Sequence, residues 1–288
     1  MQARIVSFFG AFFIFIASGT ALAGEGHTIH TIFNPTPDDQ LRPMTTERPS
    51  KTDSPYSLDA GRFQIETNLY GYIHNDDCVG GTCRKTRQHT IGGSSNLRVG
   101  LTDNTDIQFI GDLYRHQTID DRTAGTRTRH QGYGDTLVRL KVNAFGNNPS
   151  DQYSLGILPY IKFPTNQDDL GNNDIEGGIG LPFNINFDGG WNLGGMTQLN
   201  FVTDGGSGYD PAYANSLIVG KSLTDKLSAY TEFYTYRADQ SGAQWQNTLD
   251  FGTVYAVTES FRIDANVHFG VTDAADDVNF FVGTAYRF

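Results

Sequence analysis

Arg62-Phe63-Gln64-Ile65-Glu66-Thr67-Asn68-Leu69-Tyr70-Gly71-Tyr72-Ile73 decides the fold. Its odd positions hold Phe63, Ile65, Thr67, Leu69, Gly71 and Ile73, and its even positions hold Arg62, Gln64, Glu66, Asn68, Tyr70 and Tyr72. A period of two puts side chains alternately on opposite sides of a β-strand, so one face is apolar and the other polar.

The same alternation recurs downstream. Ile107, Phe109 and Leu113 oppose Asp106, Gln108 and Asp112, and Val138, Leu140 and Val142 oppose Arg139, Lys141 and Asn143. Further runs centre on 155–163, 175–187, 191–201, 227–236, 245–255, 261–269 and 278–288. Two weaker segments, His89 to Leu101 and Tyr213 to Leu223, bring the expected strand number to twelve. Runs of about 9–13 residues exceed the usual globular strand and suit a tilted strand crossing a bilayer. The connections alternate in length: Asn75 to Arg87 and Arg115 to Gln131 read as long loops, Thr102 to Asn104 and Asp188 to Gly190 as short turns. Long loops at one end and short turns at the other are the pattern of an outer-membrane barrel.

Upstream, Met1 to Ala23 reads as a secretory signal, with one cation (Arg4), an apolar run and a closing Ala21-Leu22-Ala23. Residues 24–60 carry five of the ten prolines and no apolar period. They read as a Pro-rich segment that lies in the periplasm or folds into the lumen as a plug, leaving 61–288 as the barrel. The whole chain of 288 residues is 38% hydrophobic and 18% charged, with a formal net charge of −11. That composition excludes a disordered chain and a basic nucleic-acid binder. Its only cysteines, Cys78 and Cys83, suit a disulfide in an oxidising compartment; a C-x4-C zinc site lacks its second pair. Nothing calls for a cofactor or a resident metal.

A soluble barrel also alternates, but its charges face outward. Here the polar set mixes many charges with glycines, which suits a hydrated interior, and large aromatics of apolar parity (Tyr153, Phe187, Trp191, Tyr255, Phe261, Phe288) gather beside the short turns as a girdle. The fold expected is therefore an all-β transmembrane antiparallel barrel of about twelve strands.

Arg48-Pro49-Ser50-Lys51-Thr52-Asp53-Ser54-Pro55 followed by Gly61 to Glu66 resembles the opening of the phenol meta-pathway degradation family of outer-membrane transporters. Gly100 to Asn104, Pro159 to Thr165, Leu223 to Lys226 and the closing Gly283 to Phe288 follow in that family's order. The resemblance implies a barrel for uptake of small, often aromatic, compounds. The terminal Phe288 and its alternating neighbours also resemble the signal read by outer-membrane insertion machinery.

Twelve strands imply a narrow interior. The residues expected to line a solute path are Arg62, Glu66, Arg98, Asp106, Asp112, Arg139, Lys141, Tyr160, Lys162, Glu176, Tyr230, Glu232, Tyr234, Asp250, Arg262 and Asp264, with Tyr70, Tyr114 and Tyr236 beside them. Anions and cations nearly balance, so they either set a transverse field across a pore or pair across strands to neutralise the interior. The expected function is passive uptake of small solutes, aromatic ones included. The alternatives are a lipase or deacylase at the lipid face or a closed structural barrel. For the enzyme, His89 and Ser95 share the lipid parity but stand about 20 Å apart along a strand. His27-x-x-His30 and the Asp168 to Asp174 run are weak metal signals. Arg84, Lys85, Arg87, Arg115, Arg122, Arg127 and Arg129 offer cations to lipopolysaccharide phosphates at the outer leaflet.

Overall fold

The computed structural model describes residues 29–79 and 82–288, with side-chain contacts outside 77–83. The signal sequence and His27 lie outside the described residues. Thirteen strands follow in chain order: β1 (Phe63–Val79), β2 (Thr82–Thr102), β3 (Thr105–Asp121), β4 (Thr126–Gly132), β5 (Thr136–Phe145), β6 (Tyr153–Phe163), β7 (Glu176–Phe187), β8 (Trp191–Thr203), β9 (Tyr209–Ser222), β10 (Leu227–Ala238), β11 (Gln246–Ala256), β12 (Phe261–Gly270) and β13 (Val278–Arg287). β4 and β5 both pair with β3, end to end, and so form one interrupted strand of a twelve-stranded wall. β1 pairs with both β2 and β13, which closes the antiparallel sheet on itself.

The wall inverts the burial of a soluble protein. Leu113, Leu217, Phe251 and Ile263 are exposed, whereas Gln64, Arg98, Asp106, Gln108, Lys141 and Asp250 are 0% exposed. Apolar-out, polar-in closure places the chain in an outer membrane of Gram-negative type. Tyr153, Phe187, Trp191, Tyr255 and Phe288 are exposed beside the short turns, and Lys221 Nζ sits 4.8 Å from the Trp191 ring centre, as suits an interfacial belt.

Three expectations change. The stretches 75–87 and 115–131 are strand for most of their length, because β1, β2, β3 and β4 continue as paired hairpins. Charged pairs stud these extensions: Lys85 to Asp76 at 2.8 Å, Arg84 to Asp121 at 2.8 Å and Arg127 to Asp120 at 2.5 Å. Tyr70 is not a lumen residue. The register shifts between Asn68 and Tyr70, so Leu69 is extra and Tyr70 opposes Val282 and Ile91 on the outer face. A second irregularity, at Gly92 and Gly93 with φ of 74° and 111°, lies beside Tyr114, which is exposed with its ring edge-on to Tyr133. The backbone pairs Cys78 directly with Cys83; their side chains lie outside the described ones.

Residues 36–60 form an inner segment: after an exposed 3₁₀ turn at Asp38–Gln40, the chain runs through the interior without regular secondary structure. Met44, Tyr56, Leu58 and Ala60 are buried there with Glu47, Thr52 and Asp59. Gly283 and Gly100 make room: a Cβ at Gly283 would overlap the Arg48 guanidinium, and one at Gly100 would overlap the Asp59 carbonyl oxygen.

Candidate functional site

The interior has two electrically distinct sides, both organised around the inner segment. On β2 to β5 the inward row Arg98, Gln108 and Arg139 is set by register, with Asp106 opposite Lys141 one step away. Glu47 meets this side: its Oε1 lies 2.5 Å from Lys141 Nζ and 2.9 Å from Arg98 Nη1. Arg139 Nη1 donates to Asp53 at 2.6 Å, and Lys141 donates to the Ser54 carbonyl at 2.5 Å. Arg98 Nη2 donates to Asp106 at 2.8 Å and to the Tyr56 carbonyl at 2.9 Å.

The opposite side is acidic. Asp264 accepts two bonds from Arg48, at 2.8 and 3.1 Å. Asp250 lies 3.2 Å from Lys51 Nζ, and Glu232 accepts the backbone N–H groups of Lys51 and Thr52 at 2.9 and 2.7 Å. Glu66 plays the same part on β1, accepting the N–H groups of Glu47 and Arg48 at 2.9 and 3.2 Å. Acid meets the basic side and base meets the acidic side, so the segment's charges mirror the wall's. Such desolvated pairs hold only while fully partnered.

Burial alone would raise the Glu47 pKa, but Lys141, Arg98 and Arg139 outweigh it and hold it at about 2. Asp53 moves the other way, lifted by burial against the pull of Arg139.

Near the short turns, Arg42 Nε donates to Asp59 at 2.6 Å, Arg287 Nη1 to the Arg42 carbonyl at 2.8 Å, and Arg62 to Asp38 at 2.6 Å. Arg262 donates to the Thr258 carbonyl at 2.9 Å, away from the segment. Toward the long hairpins, Lys162 Nζ lies 2.6 Å from Glu176, Asp112 lies 2.9 Å from Arg115, and Tyr160 donates to Asn200 at 2.5 Å. Tyr230 bonds Asn266, and the Tyr234 ring lies 4.7 Å from Lys51 Nζ. Beyond them a cavity of about 420 Å³ opens between the hairpins, lined by Glu176, Thr203, Tyr236, Gln240 and Gln246 among others.

Most of the wall residues expected in the lumen therefore face it, but they do not chiefly pair with one another. Arg139 and Lys141 bond Asp53 and Glu47 of the inner segment. Arg42, Glu47, Arg48, Lys51, Asp53 and Asp59 escape a periodicity reading because their segment has no period; the cluster of two anions and two cations within 47–53 was the available signal.

The enzyme pair is engaged separately: His89 with the Tyr70 hydroxyl at 2.9 Å, Ser95 with that of Thr67 at 2.7 Å. His30 bonds Asp103 at 3.1 Å, and the Asp168 carboxylate accepts the Gln131 N–H at 2.7 Å. Among the described residues, no group of three or more His, Cys, Asp or Glu side chains is placed to hold a metal.

The sequence profile of the family described as "Putative MetA-pathway of phenol degradation" matches residues 46–288, from Thr46 in the inner segment to the last residue of the wall. The chain belongs to that family. Within this phenol-degradation family the match takes in the Arg48 to Pro55 motif as well as the strands, so segment and barrel form one familial unit. No curated protein matches the chain in sequence. Among solved structures, the COG4313 outer membrane channel from Pseudomonas putida F1 superposes with a TM-score of 0.63 at 15% identity, covering 84% of this chain and 99% of that one. The transport unit of the autotransporter AIDA-I from Escherichia coli gives 0.53 at 11%, covering 85% and 93%. These likenesses show the barrel fold.

Proposed function

We propose that this member of the phenol-degradation family is a passive outer-membrane channel for small solutes, aromatic ones included, whose path the inner segment of residues 36–60 narrows as a plug. One observation carries the reading. The segment is held in a polar, closed barrel chiefly by ion pairs and hydrogen bonds to the wall, contacts that a charged or polar solute meeting the same groups can replace partner for partner. Tyr160, Tyr234 and Tyr236 border the interior between the mouth cavity and the segment, a path suited to flat apolar rings with polar edges. The COG4313 protein of Pseudomonas putida F1 is an outer membrane channel, and its likeness supports the reading at the level of architecture. The same reading has Phe288, which is exposed and stacked on Phe63, addressing insertion machinery, and the Arg-rich hairpins meeting lipopolysaccharide.

The test is planar-bilayer conductance of the refolded protein and of Lys51→Met, which removes the cation facing Asp250 and Glu232. The expected result is small, intermittent conductance in the native protein and a several-fold rise in the variant. Correctly inserted protein that is silent in both forms is a closed structural barrel instead.

A further inference from the structure

Three cations of the wall converge on one carboxylate of the inner segment. Arg98 and Lys141 lie 2.9 and 2.5 Å from Glu47 Oε1, and Arg139 lies 4.0 Å from Oε2. Arg98 and Lys141 are fully buried and Arg139 is nearly so. All three stand on β2 and β5, whose ladders run through β3 and not through the segment, so the wall alone holds the cluster in shape.

The wall does not satisfy this cluster by itself. Among the described residues, every oxygen that accepts from Lys141 Nζ belongs to the segment: Glu47 Oε1, the Ser54 carbonyl and the Ser54 hydroxyl. Asp106 is already engaged by Arg98, Gln108 and the Leu58 N–H. Arg98 Nη1 stands beside Glu47 Oε1 without a well-aligned hydrogen bond, so a buried donor is left over at the same spot. Three buried cations, of which Arg98 keeps a donor to spare while Arg139 also donates to Gln108 of the wall, form an anion seat, and two of them are guanidinium groups, whose fork geometry fits a carboxylate.

The geometry points to a carboxylate seat built into the barrel wall, occupied by Glu47 as a resident stand-in and open to competition from a small aromatic carboxylate solute. The ring preference comes from register: Arg139 sits directly opposite Tyr160 on the same inner face, so a ring attached to a seated carboxylate meets the Tyr160 side chain. An uncharged analogue gains nothing from the cations and does not displace Glu47. This deepens the channel reading and rests on it for its consequence, that the solute loosens the segment narrowing its own path. Glu47 is tethered, so the competition is against a high effective concentration and needs millimolar solute.

Benzoate and benzamide, matched in shape and differing in charge, are the probes. Hydrogen exchange at the amides of residues 47–54 is followed in the full-length protein in micelles at constant ionic strength. Benzoate is expected to accelerate that exchange and benzamide to leave it unchanged. Glu47→Gln is expected to bind benzoate at least about tenfold more tightly than the native chain. Adding Arg139→Gln to Glu47→Gln is expected to remove that gain. Equal responses to the two probes, or no gain in Glu47→Gln, overturns the seat. If Glu47→Gln does not insert, the native exchange comparison decides alone. Conductance is recorded separately: benzoate binding in a protein that never conducts defeats the channel reading and leaves the seat, whereas a conducting protein indifferent to benzoate defeats only the seat.

Discussion

The two halves of the barrel are built from the same alternating strands yet have opposite interiors. Toward the short turns, Arg98, Asp106 and Lys141 are wholly buried by a second layer of chain; toward the long hairpins, Lys162 and Glu176 keep 19% and 14% of their side chains exposed, and Glu176 lines a cavity of about 420 Å³. The wall pattern alone therefore does not decide whether a barrel is filled or open. The deciding factor is whether another segment carries charges complementary to the wall at the right height.

The largest test of that contrast is to remove one cation from each half. Arg98→Leu leaves Glu47, Glu66 and Asp106 gathered without their shared partner and is expected to cost about 3–5 kcal/mol of unfolding free energy. Lys162→Met, in the wetter half, is expected to cost under about 1 kcal/mol. Urea unfolding of both variants in one detergent reads the difference; similar losses would erase the distinction between the halves.

Acid should separate the halves next. The Glu47 carboxyl is held at about 2 against an ordinary 4.5, so its contribution to seating the segment is complete above pH 4.5 and lost as pH falls toward 2. Asp53 is raised and works oppositely, so protonating it first relieves a burial cost before Glu47 lets go. Protection of the amides at 47–54, taken relative to their intrinsic exchange rate at each pH, is therefore expected to fall only below about pH 4.5, and Glu47→Gln is expected to lack that limb. A native profile flat across the window would show that Glu47 does not hold the segment.

The hairpin of β1 and β2 gives a more local effect. With Cys78 opposite Cys83 in register, the exported protein is expected to yield no maleimide-reactive thiol before reduction, and reduction to cost about 2 kcal/mol at most. Two reactive thiols in the native, unreduced protein would refute the bridge.

Smallest is Tyr236→Phe at the mouth cavity. It removes one hydroxyl from the lining and is expected to leave stability within about 0.5 kcal/mol while changing the permeation ratio of phenol-sized to aliphatic solutes. An unchanged ratio removes the cavity from the path.

Alternation made the wall legible. Phe109 beside Gln108 and Ile263 beside Asp264 state which side each residue takes, because a strand's geometry is local and repeats every two residues. The same rule failed after Leu69, since one extra residue in a bulge reverses the parity of the residues beyond it, and Tyr70 turned outward with its side chain unchanged. It also missed the hairpin extensions, where strands above the membrane no longer need an apolar face and look like loops.

By itself, then, the amino-acid order determined a polar-in, apolar-out barrel of twelve strands and most of the charges lining it. Only the tertiary structure decided which charges meet. Glu47 and Lys141 are 94 residues apart, and Arg48 and Asp264 are 216 apart. No local period links a proline-rich stretch to a wall so distant in the chain. Those pairs arise because closing the barrel brings a basic and an acidic side face to face, and the desolvated interior between them admits a segment only where each charge finds its opposite.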